Sequence, residues 1–394
     1  MTLRGRMKLL FPCALLAAIG CAIHLPAELK NVDVPGQSKR PAVSALIVEP
    51  RCHATLPLTV ANMRASLPGV PIQVFYSAAN RHFVEEFLPP LRNLGRGGIE
   101  THSGHAAGEG AQPLVLQPLP GKYYEHMNFT AYSLLLESPE FWDMVIGEKV
   151  LVFETDTWVC QDAERKLQQW LQYDYVGAPW NHNVVGCTGG VGNGGFSLRS
   201  RQAMRDAAAA ARTRLAAAGD SRPPGVAATN RGKFAVLSED IFFCEELERA
   251  QREAVQKQSS GQAPDGLSPV LPTLAEADKF AEEERIDTKH GDPLGVHRPW
   301  VYEAAWWELK RSCPGLHLLH HAFNKPLGAH SVCGARAMTE AEELLETYFR
   351  FLDERRLDAE LRSKNWRSAL QVWSSAVHQR LAAAVLALSL AALH

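Results

Sequence analysis

Short apolar runs alternate with helical patterns from residue 43 to about residue 300. Strands are predicted where β-prone apolar residues follow one another, and helices where apolar positions recur every three to four residues. The predicted strands are residues 43–49, 71–77, 150–154 and 173–177, and the predicted helices are residues 57–65, 123–136, 163–171, 201–217 and 240–254. This alternation predicts an α/β fold with helices flanking a mixed sheet.

Three stretches rich in small or polar residues interrupt the pattern and are predicted to be surface insertions: residues 95–112, 219–232 and 256–272. After Trp300 the pattern becomes helical. Its last apolar segment is too short for an ordinary membrane span and is interpreted as a packing helix or an interfacial tail. The predicted organisation is a targeting segment at 1–28, a linker at 29–42, one large α/β domain at 43–302 and a helical C-terminal extension with this apolar tail at 303–394.

The composition is that of a globular protein with little net charge. Of the 394 residues, 46% are apolar, and the formal net charge at pH 7 is −2. Such a chain can bury a full hydrophobic core. It has no basic stripe with interleaved aromatic residues, so nucleic acid is not an expected partner.

A basic cluster followed by an apolar run begins the sequence. Arg4, Arg6 and Lys8 precede apolar residues that continue to Leu25, which is typical of a targeting segment. An uncleaved segment predicts a single-pass type II protein of the Golgi or endoplasmic reticulum membrane, with the catalytic domain in the lumen. A cleaved segment predicts a secreted protein. A buried amphipathic helix is the alternative interpretation.

Cysteine usage leaves the pairing open. Eight cysteines are present, of which two lie in the targeting segment. The other six are Cys52, Cys160, Cys187, Cys244, Cys313 and Cys333. Disulfides and buried free thiols both fit these positions, and no C-x-x-C pair indicates a zinc site.

The segment KVLVFETDTW, residues 149–158, carries the strongest chemical signal. An apolar run ends in Glu154 and Asp156, as in a buried strand that delivers charge at the carboxyl edge of an α/β sheet, where such sheets bind ligands. Hard cations such as Mg²⁺ or Mn²⁺ prefer oxygen ligands and leave positions for substrate phosphates. Acidic residues after strands are also common helix caps, which is the alternative.

Several further motifs follow in a fixed order. They are residues 45–51 (ALIVEPR), 137–142 (ESPEFW), 173–180 (YDYVGAPW), the Gly-rich 189–199, 238–243 (SEDIFF) and 295–300 (GVHRPW). With residues 149–158, this order resembles a glycosyltransferase-like domain-of-unknown-function family of microbial eukaryotes, in the GT-A superfamily of nucleotide-sugar transferases. The resemblance implies a GT-A-like (Rossmann-like) fold. It also implies a metal-dependent glycosyltransferase of the secretory pathway that moves a sugar from a nucleotide-sugar donor to a hydroxyl of a glycan or glycoprotein acceptor.

The resemblance also implies a metal site. Asp156 and His297 correspond to the acid and the late histidine that hold Mn²⁺ or Mg²⁺ in such enzymes. Glu154 stands where many relatives place the first acid of a D-x-D motif, and with Thr155 it is expected beside the nucleotide sugar. A lone histidine is more often structural.

Four residues of the Gly-rich segment are expected to contact the donor or acceptor. Gly194 and Gly195 suit a wall where backbone approaches a sugar closely, and Ser197 and Arg199 suit acceptor or phosphate. The segment is not a dinucleotide fingerprint, because no G-x-G-x-x-G opens a helix after a strand. A plain turn-rich loop is the alternative.

Two acids are candidates for the general base, and two basic residues for nucleotide binding. Asp240, or Glu239, is expected to deprotonate the acceptor hydroxyl in an inverting transfer; a simple helix N-terminus is the alternative. Arg51 and His53 follow the first strand, where the superfamily's nucleotide rests, and a guanidinium suits phosphate. An ordinary surface arginine fits equally well.

Two other classes of function remain open. An inactive carbohydrate- or nucleotide-binding module would keep the cleft without turnover, and the glutamate at position 154 favours it. A metal-dependent hydrolase would use the same carboxylates to activate water, but the absence of paired histidine ligands at zinc-site spacing argues against it.

Overall fold

The computed structural model describes residues 40–94, 112–180, 192–220, 225–228, 234–263, 266–283, 292–299, 309, 311–319 and 333–354. The targeting segment, the apolar tail, residues 189–191 of the Gly-rich segment and most of the insertion predicted at 95–112 lie outside these residues. In the described part of the chain, no helix combines the length and the apolarity that crossing a membrane requires.

The strands form a mixed main sheet and two small sheets. They are β1 (Val43–Glu49), β2 (Ile72–Tyr76), β3 (Leu114–Pro118), β4 (Lys149–Phe153), β5 (Thr157–Val159), β6 (Tyr175–Gly177), β7 (Phe196–Ser200), β8 (Val226–Ala228), β9 (Phe234–Val236), β10 (Ala281–Glu282) and β11 (Gly295–His297). The main sheet has the order β3-β2-β1-β4-β7-β6. Neighbouring strands from β3 to β4 are parallel, and β7 runs antiparallel to both β4 and β6. The predicted mixed α/β sheet is thus confirmed.

Two strands of the main sheet were not predicted from the sequence. β3 begins just after a segment that was interpreted as an insertion, and β7 follows the glycines at 189–195, which were expected to form a wall of the sugar site or, alternatively, a turn-rich loop. All five residues of β7 are buried, including Ser197 and Arg199. A strand buried on both faces shows no polar alternation, so its period gives no signal.

A small sheet joins distant parts of the sequence at the edge of the main sheet. Its order is β10-β11-β5, with β11 antiparallel to β5 and parallel to β10. His297 lies opposite Thr157 in this pairing. The late histidine is therefore held against the loop that follows β4.

The helices are α1 (Thr55–Ser66), α2 (Arg81–Phe87), a 3₁₀ helix (Pro89–Asn93), α3 (Lys122–Glu125), α4 (Phe129–Leu136), α5 (Pro139–Met144), α6 (Ala163–Gln168), α7 (Arg201–Ala217), α8 (Glu239–Ser259), α9 (Leu274–Ala277) and α10 (Ala335–Glu354). They cover both faces of the main sheet, where apolar side chains form two core clusters. The helix predicted at 123–136 is interrupted: α3 and α4 are separated by a short extended segment.

The C-terminal extension shares the core of the α/β domain. Leu345 and Tyr348 of α10 are buried in the same cluster as α1 and the main sheet, and the Tyr348 ring meets Trp158 of β5 edge to face at 5.7 Å. Disulfides join Cys52 to Cys333 and Cys160 to Cys313, and Cys244 is also disulfide-bonded. These five cysteines are therefore in disulfides and are not free thiols.

Candidate metal centre and active site

The loop between β4 and β5 is a tight turn that presents two carboxylates. Glu154 N donates to Thr157 Oγ1 at 3.1 Å, and Thr157 Oγ1 donates to the Gly195 carbonyl at 3.2 Å. Thr155 between the two acids is buried, and its carbonyl accepts from Thr55 Oγ1 at 2.7 Å. The role of Thr155 in donor binding stays a prediction; its carbonyl fixes the turn to Thr55.

His297 completes a cluster with the two acids of this turn. Its Nε2 atom lies 3.1 Å from Asp156 Oδ1 and 3.6 Å from Glu154 Oε2. Donor atoms from the three side chains all lie within 4.8 Å of one another. We call Glu154, Asp156 and His297 the metal triad; two carboxylates and one imidazole form a donor set that fits a divalent cation.

The buried polar atoms of this cluster support that fit. Asp156 Oδ1, both ring nitrogens of His297 and both carboxylate oxygens of Glu283 are buried; Nε2 contacts Asp156 Oδ1 at 3.1 Å and Nδ1 contacts Glu283 Oε1 at 3.2 Å, but neither contact has regular hydrogen-bond geometry. Buried polar atoms are normally hydrogen-bonded, since leaving them unpaired costs free energy. A cation that accepts electron pairs from oxygen and nitrogen would satisfy Asp156 and His297 together.

The charges within the triad are strongly coupled. Burial raises the pKa of Asp156, but His297, the backbone of Asp156 and the charge of His53 together outweigh burial, so the net pKa is lowered. Burial lowers the pKa of His297, whereas Asp156, Glu154 and Glu283 raise it, and the net pKa lies well above the usual value. In the absence of a cation, His297 is therefore an imidazolium among carboxylates. A bound cation takes the place of the proton at a ligating nitrogen.

Two adjacent glycines connect the triad to the start of α8. A Cβ atom at position 195 would overlap the His297 ring, and one at position 194 would overlap the Glu239 carboxylate. Gly194 N also donates to Asp240 Oδ2 at 3.2 Å. Gly194 and Gly195 were predicted to let the backbone approach a sugar closely. In the structure, the groups that lie close to them are side chains of the protein itself.

Arg199 and Glu239 are paired with each other beneath this surface. Arg199 Nη1 and Nη2 donate to the two oxygens of Glu239 at 2.8 and 3.0 Å, and Arg199 Nε donates to Ser197 Oγ at 2.9 Å. The guanidinium also lies over the Tyr175 ring at 4.7 Å and is fully buried. Burial raises the pKa of Glu239 to about 7, with Arg199 opposing the shift. Ser197, Arg199 and Glu239 thus form an internal network with their hydrogen-bonding groups directed at one another.

Asp240 is placed differently from its neighbour Glu239. It is half-buried, and its Oδ2 atom accepts from the backbone of Gly194, next to the glycine that contacts His297. Of the two acids predicted as the base, Asp240 is the more exposed, whereas Glu239 is buried and paired with Arg199. The geometry therefore favours Asp240.

Arg51 and His53 lie in the loop after β1, near the same sheet edge. Arg51 donates through N and Nε to Glu49 Oε1, both at 2.8 Å, yet 62% of its side chain is exposed. The Glu49 hydrogen bond raises the pKa of Arg51, and the charges of Glu154 and Asp156 add to this shift. His53 Nδ1 lies 2.8 Å from Thr55 Oγ1. Arg51 is thus a cation oriented by Glu49 whose charge interacts with the carboxylates of Glu154 and Asp156.

Two residues of the site were missed in the sequence. Glu283 lies 3.2 Å from His297 Nδ1, and Thr157 fixes the turn between Glu154 and Asp156. Glu283 follows a strand of only two residues, which is too short to show a period. Only the pairing of β10 with β11 brings it beside His297.

Comparisons with known proteins bear on this region. The family described as "Protein of unknown function (DUF5672)" matches residues 116–297, which include the whole metal triad. A solved structure, the apo-form glycosyltransferase GlyE in Streptococcus pneumoniae TIGR4, is similar with 12% identity and a TM-score of 0.33. The similarity covers 79% of this chain and 64% of that chain, which is less than two thirds of the GlyE structure. No curated protein matches the sequence.

Proposed function

We propose that the protein is a metal-dependent glycosyltransferase with a GT-A-like fold, which moves a sugar from a nucleotide-sugar donor to a hydroxyl of a glycan or glycoprotein. One observation carries the proposal: the side chains of Glu154, Asp156 and His297 converge at the carboxyl edge of a mixed α/β sheet. This edge is where open α/β sheets bind ligands. Mn²⁺ or Mg²⁺ is the proposed cation.

Each group has a role in this reaction. A divalent cation bound there supplies stabilisation of the negative charge that develops on the departing nucleoside diphosphate. Arg51, oriented by Glu49, adds a fixed positive charge on the same side of the triad. Asp240 takes the proton of the acceptor hydroxyl, provided that the transfer inverts the sugar carbon. Gly194 and Gly195 keep the base and the metal triad close, since a side chain at either position would displace its neighbours.

The proposed compartment is the lumen of the endoplasmic reticulum or Golgi. Disulfides persist in oxidising compartments, and the two described pairs close long loops, between residues 52 and 333 and between residues 160 and 313. The targeting segment at 1–28 supports the same compartment. We propose that this segment anchors the protein as a type II membrane protein, with a secreted form if it is cleaved.

Substitution of Asp156 by Asn tests the metal site directly. The amide keeps the shape of the side chain but lacks the charge that binds a cation, so Mn²⁺-dependent binding of a nucleoside diphosphate should be abolished while the fold remains. Titration calorimetry of a panel of nucleoside diphosphates, with and without Mn²⁺, measures this. Asp206→Asn on the exposed side of α7 is the matched control. Unchanged Mn²⁺-dependent affinity in the Asp156 variant would remove Asp156 from the site and the metal from the mechanism.

A further inference from the structure

A buried glutamate lies behind His297, on the side away from the metal triad's carboxylates. In the parallel pairing of β10 with β11, Glu282 lies opposite Val296, so the next residue, Glu283, falls beside His297. Glu283 Oε1 is 3.2 Å from His297 Nδ1, and the Glu283 side chain is only 1% exposed. Arg298 Nη1 lies 3.7 Å from the same oxygen.

The two nitrogens of the His297 ring therefore face different carboxylates. Nε2 faces Asp156 and Glu154, and Nδ1 faces Glu283. A neutral imidazole carries one N–H, and the hydrogen bond made by one nitrogen decides which nitrogen is left to bind a metal. An acceptor at Nδ1 keeps the proton there and leaves the Nε2 lone pair directed at Asp156 and Glu154.

Other contacts restrict the His297 ring. Gly195 packs directly against Cε1 and Nε2, so a larger residue at that position would overlap the ring. Arg298 has a φ of 49°, a left-handed conformation that is uncommon outside glycine, and its N–H donates to the Asp156 carbonyl at 3.1 Å. Such backbone strain persists where the surrounding structure fixes it and is common at ligand sites. The ring is thus held between Gly195 and Glu283.

We infer that Glu283 is a positioning residue that fixes the orientation and the Nδ1–H tautomer of His297, so that Nε2 binds a divalent cation together with Asp156 and Glu154. This inference rests on the proposed metal site. Carboxylates that accept from the outer nitrogen of a metal-binding histidine are a recurring arrangement, and their removal weakens metal binding by about 10- to 100-fold. A purely structural counter-charge for Arg298 would stabilise the fold without affecting the metal.

Mn²⁺ affinity in Glu283 variants distinguishes these roles. Glu283→Leu fills the space without an acceptor, and we expect a dissociation constant for Mn²⁺ about 10- to 100-fold above wild type, as measured by titration calorimetry. Glu283→Gln keeps a carbonyl oxygen, so part of the affinity should be recovered. Glu248 is a buried glutamate elsewhere in the fold, on α8. Glu248→Gln therefore controls for the removal of a buried carboxylate and should bind Mn²⁺ as wild type does.

The outcomes separate this inference from the proposed function. If Asp156→Asn abolishes Mn²⁺ binding and Glu283→Leu binds within twofold of wild type, the positioning role is overturned and the metal site stands. If Asp156→Asn leaves Mn²⁺ binding intact, the proposed function itself fails. Should Glu283→Leu not fold, ¹⁵N NMR of the wild-type histidine rings with Mg²⁺ bound decides the question: a proton on Nδ1 of His297 supports the inference, and a proton on Nε2 overturns it.

Discussion

The metal triad and the Arg199–Glu239 pair lie close together, separated by Gly194 and Gly195, but their polar atoms are satisfied in different ways. In the triad, Asp156 Oδ1 and both ring nitrogens of His297 contact one another and Glu283 at 3.1 to 3.2 Å but, within the described part of the chain, make no hydrogen bond of regular geometry. In the pair, both oxygens of Glu239 accept from Arg199, and Arg199 also bonds Ser197 and the Gly194 carbonyl. The first set is suited to bind a ligand, and the second to hold the backbone.

This difference shows how charged residues at a sheet edge can be sorted. The sequence alone made all four charged residues candidates for the site. Two acids, Glu154 and Asp156, follow a strand. Glu239 begins a helix, and Arg199 follows a group of glycines. Burying a charge is costly unless it is paired. A buried charge whose partners are all within the chain is therefore assigned to the fold, and one whose partners are incomplete is assigned to a ligand.

Asp240 gives the largest expected effect. Unlike Glu239, it has no buried arginine partner: its two oxygens accept only from the backbone N–H groups of Gly194 and Ile241 among the described residues, and the side chain is half-buried. A positioned general base contributes about 10²- to 10⁴-fold to turnover. Asp240→Asn should lower kcat by about that factor while nucleotide binding stays within a few-fold, since the loss falls on the transition state. Turnover is measured with Mn²⁺ and a donor found by screening nucleotide sugars.

Glu239→Gln is the matched variant for Asp240→Asn. Because Glu239 is bound by Arg199, its substitution should lower the melting temperature and leave turnover per folded molecule near that of wild type. A helix-cap role for Asp240 predicts normal turnover and a stability loss of about 1 kcal/mol. Wild-type kcat in Asp240→Asn would end its assignment as the base.

The Arg199–Glu239 pair is also tested by substituting Arg199 instead of Glu239. Arg199→Met leaves the buried Glu239 carboxylate without its partner, and removing one member of a buried pair costs about 3 to 5 kcal/mol of unfolding free energy. Urea denaturation measures this loss. The double variant Arg199→Met with Glu239→Leu should recover much of it, since no uncompensated charge remains. A stable Arg199→Met protein that had lost nucleotide affinity would instead place Arg199 in the binding site, as its sequence context suggested.

The sheet that carries the site was largely predictable, because β1, β2 and β4 are apolar runs with clear limits. β7 was not, since its buried Ser197 and Arg199 are satisfied by residues of other elements, which no local pattern shows. The same limit applies to Thr155, whose side chain was expected at the ligand and is buried in the fold.

The two acids of the metal triad were predicted from their place after β4 and from the family resemblance. Their contact with His297 depends on tertiary structure. His297 approaches Asp156 only because β11 pairs with β5. Glu283 depends on one more strand pairing, and no spacing in the sequence reveals it. Glu154 and Asp156 were therefore predictable from one strand, His297 only from the family resemblance, and Glu283 from neither.

Glu137 tests whether incomplete hydrogen bonding always marks a ligand site. Its two carboxylate oxygens are buried against the backbone of Gly225 without a hydrogen bond of regular geometry among the described residues, but no second ligating side chain of that part of the chain joins it in a cluster that could hold a metal. Burial, followed by the charge of Glu239, raises the pKa of Glu137 to about 8. At neutral pH the side chain is therefore mostly a neutral acid, for which burial costs much less than for a charge.

This state predicts a specific pH dependence. The folded-state pKa of about 8 exceeds the ordinary value of 4.5, so between these values the folded protein binds more protons than the unfolded chain, and stability falls as pH rises. The slope is about 1 kcal/mol per pH unit. Glu137→Gln cannot titrate, so the variant should gain about 2 kcal/mol relative to wild type between pH 5.5 and 7.5, measured by urea unfolding. Exposed Glu253→Gln should show no such gain. Parallel stability profiles for wild type and Glu137→Gln would mean that Glu137 is ionised in the fold, and its buried charge would then require a cation or another ligand in addition to the backbone of Gly225.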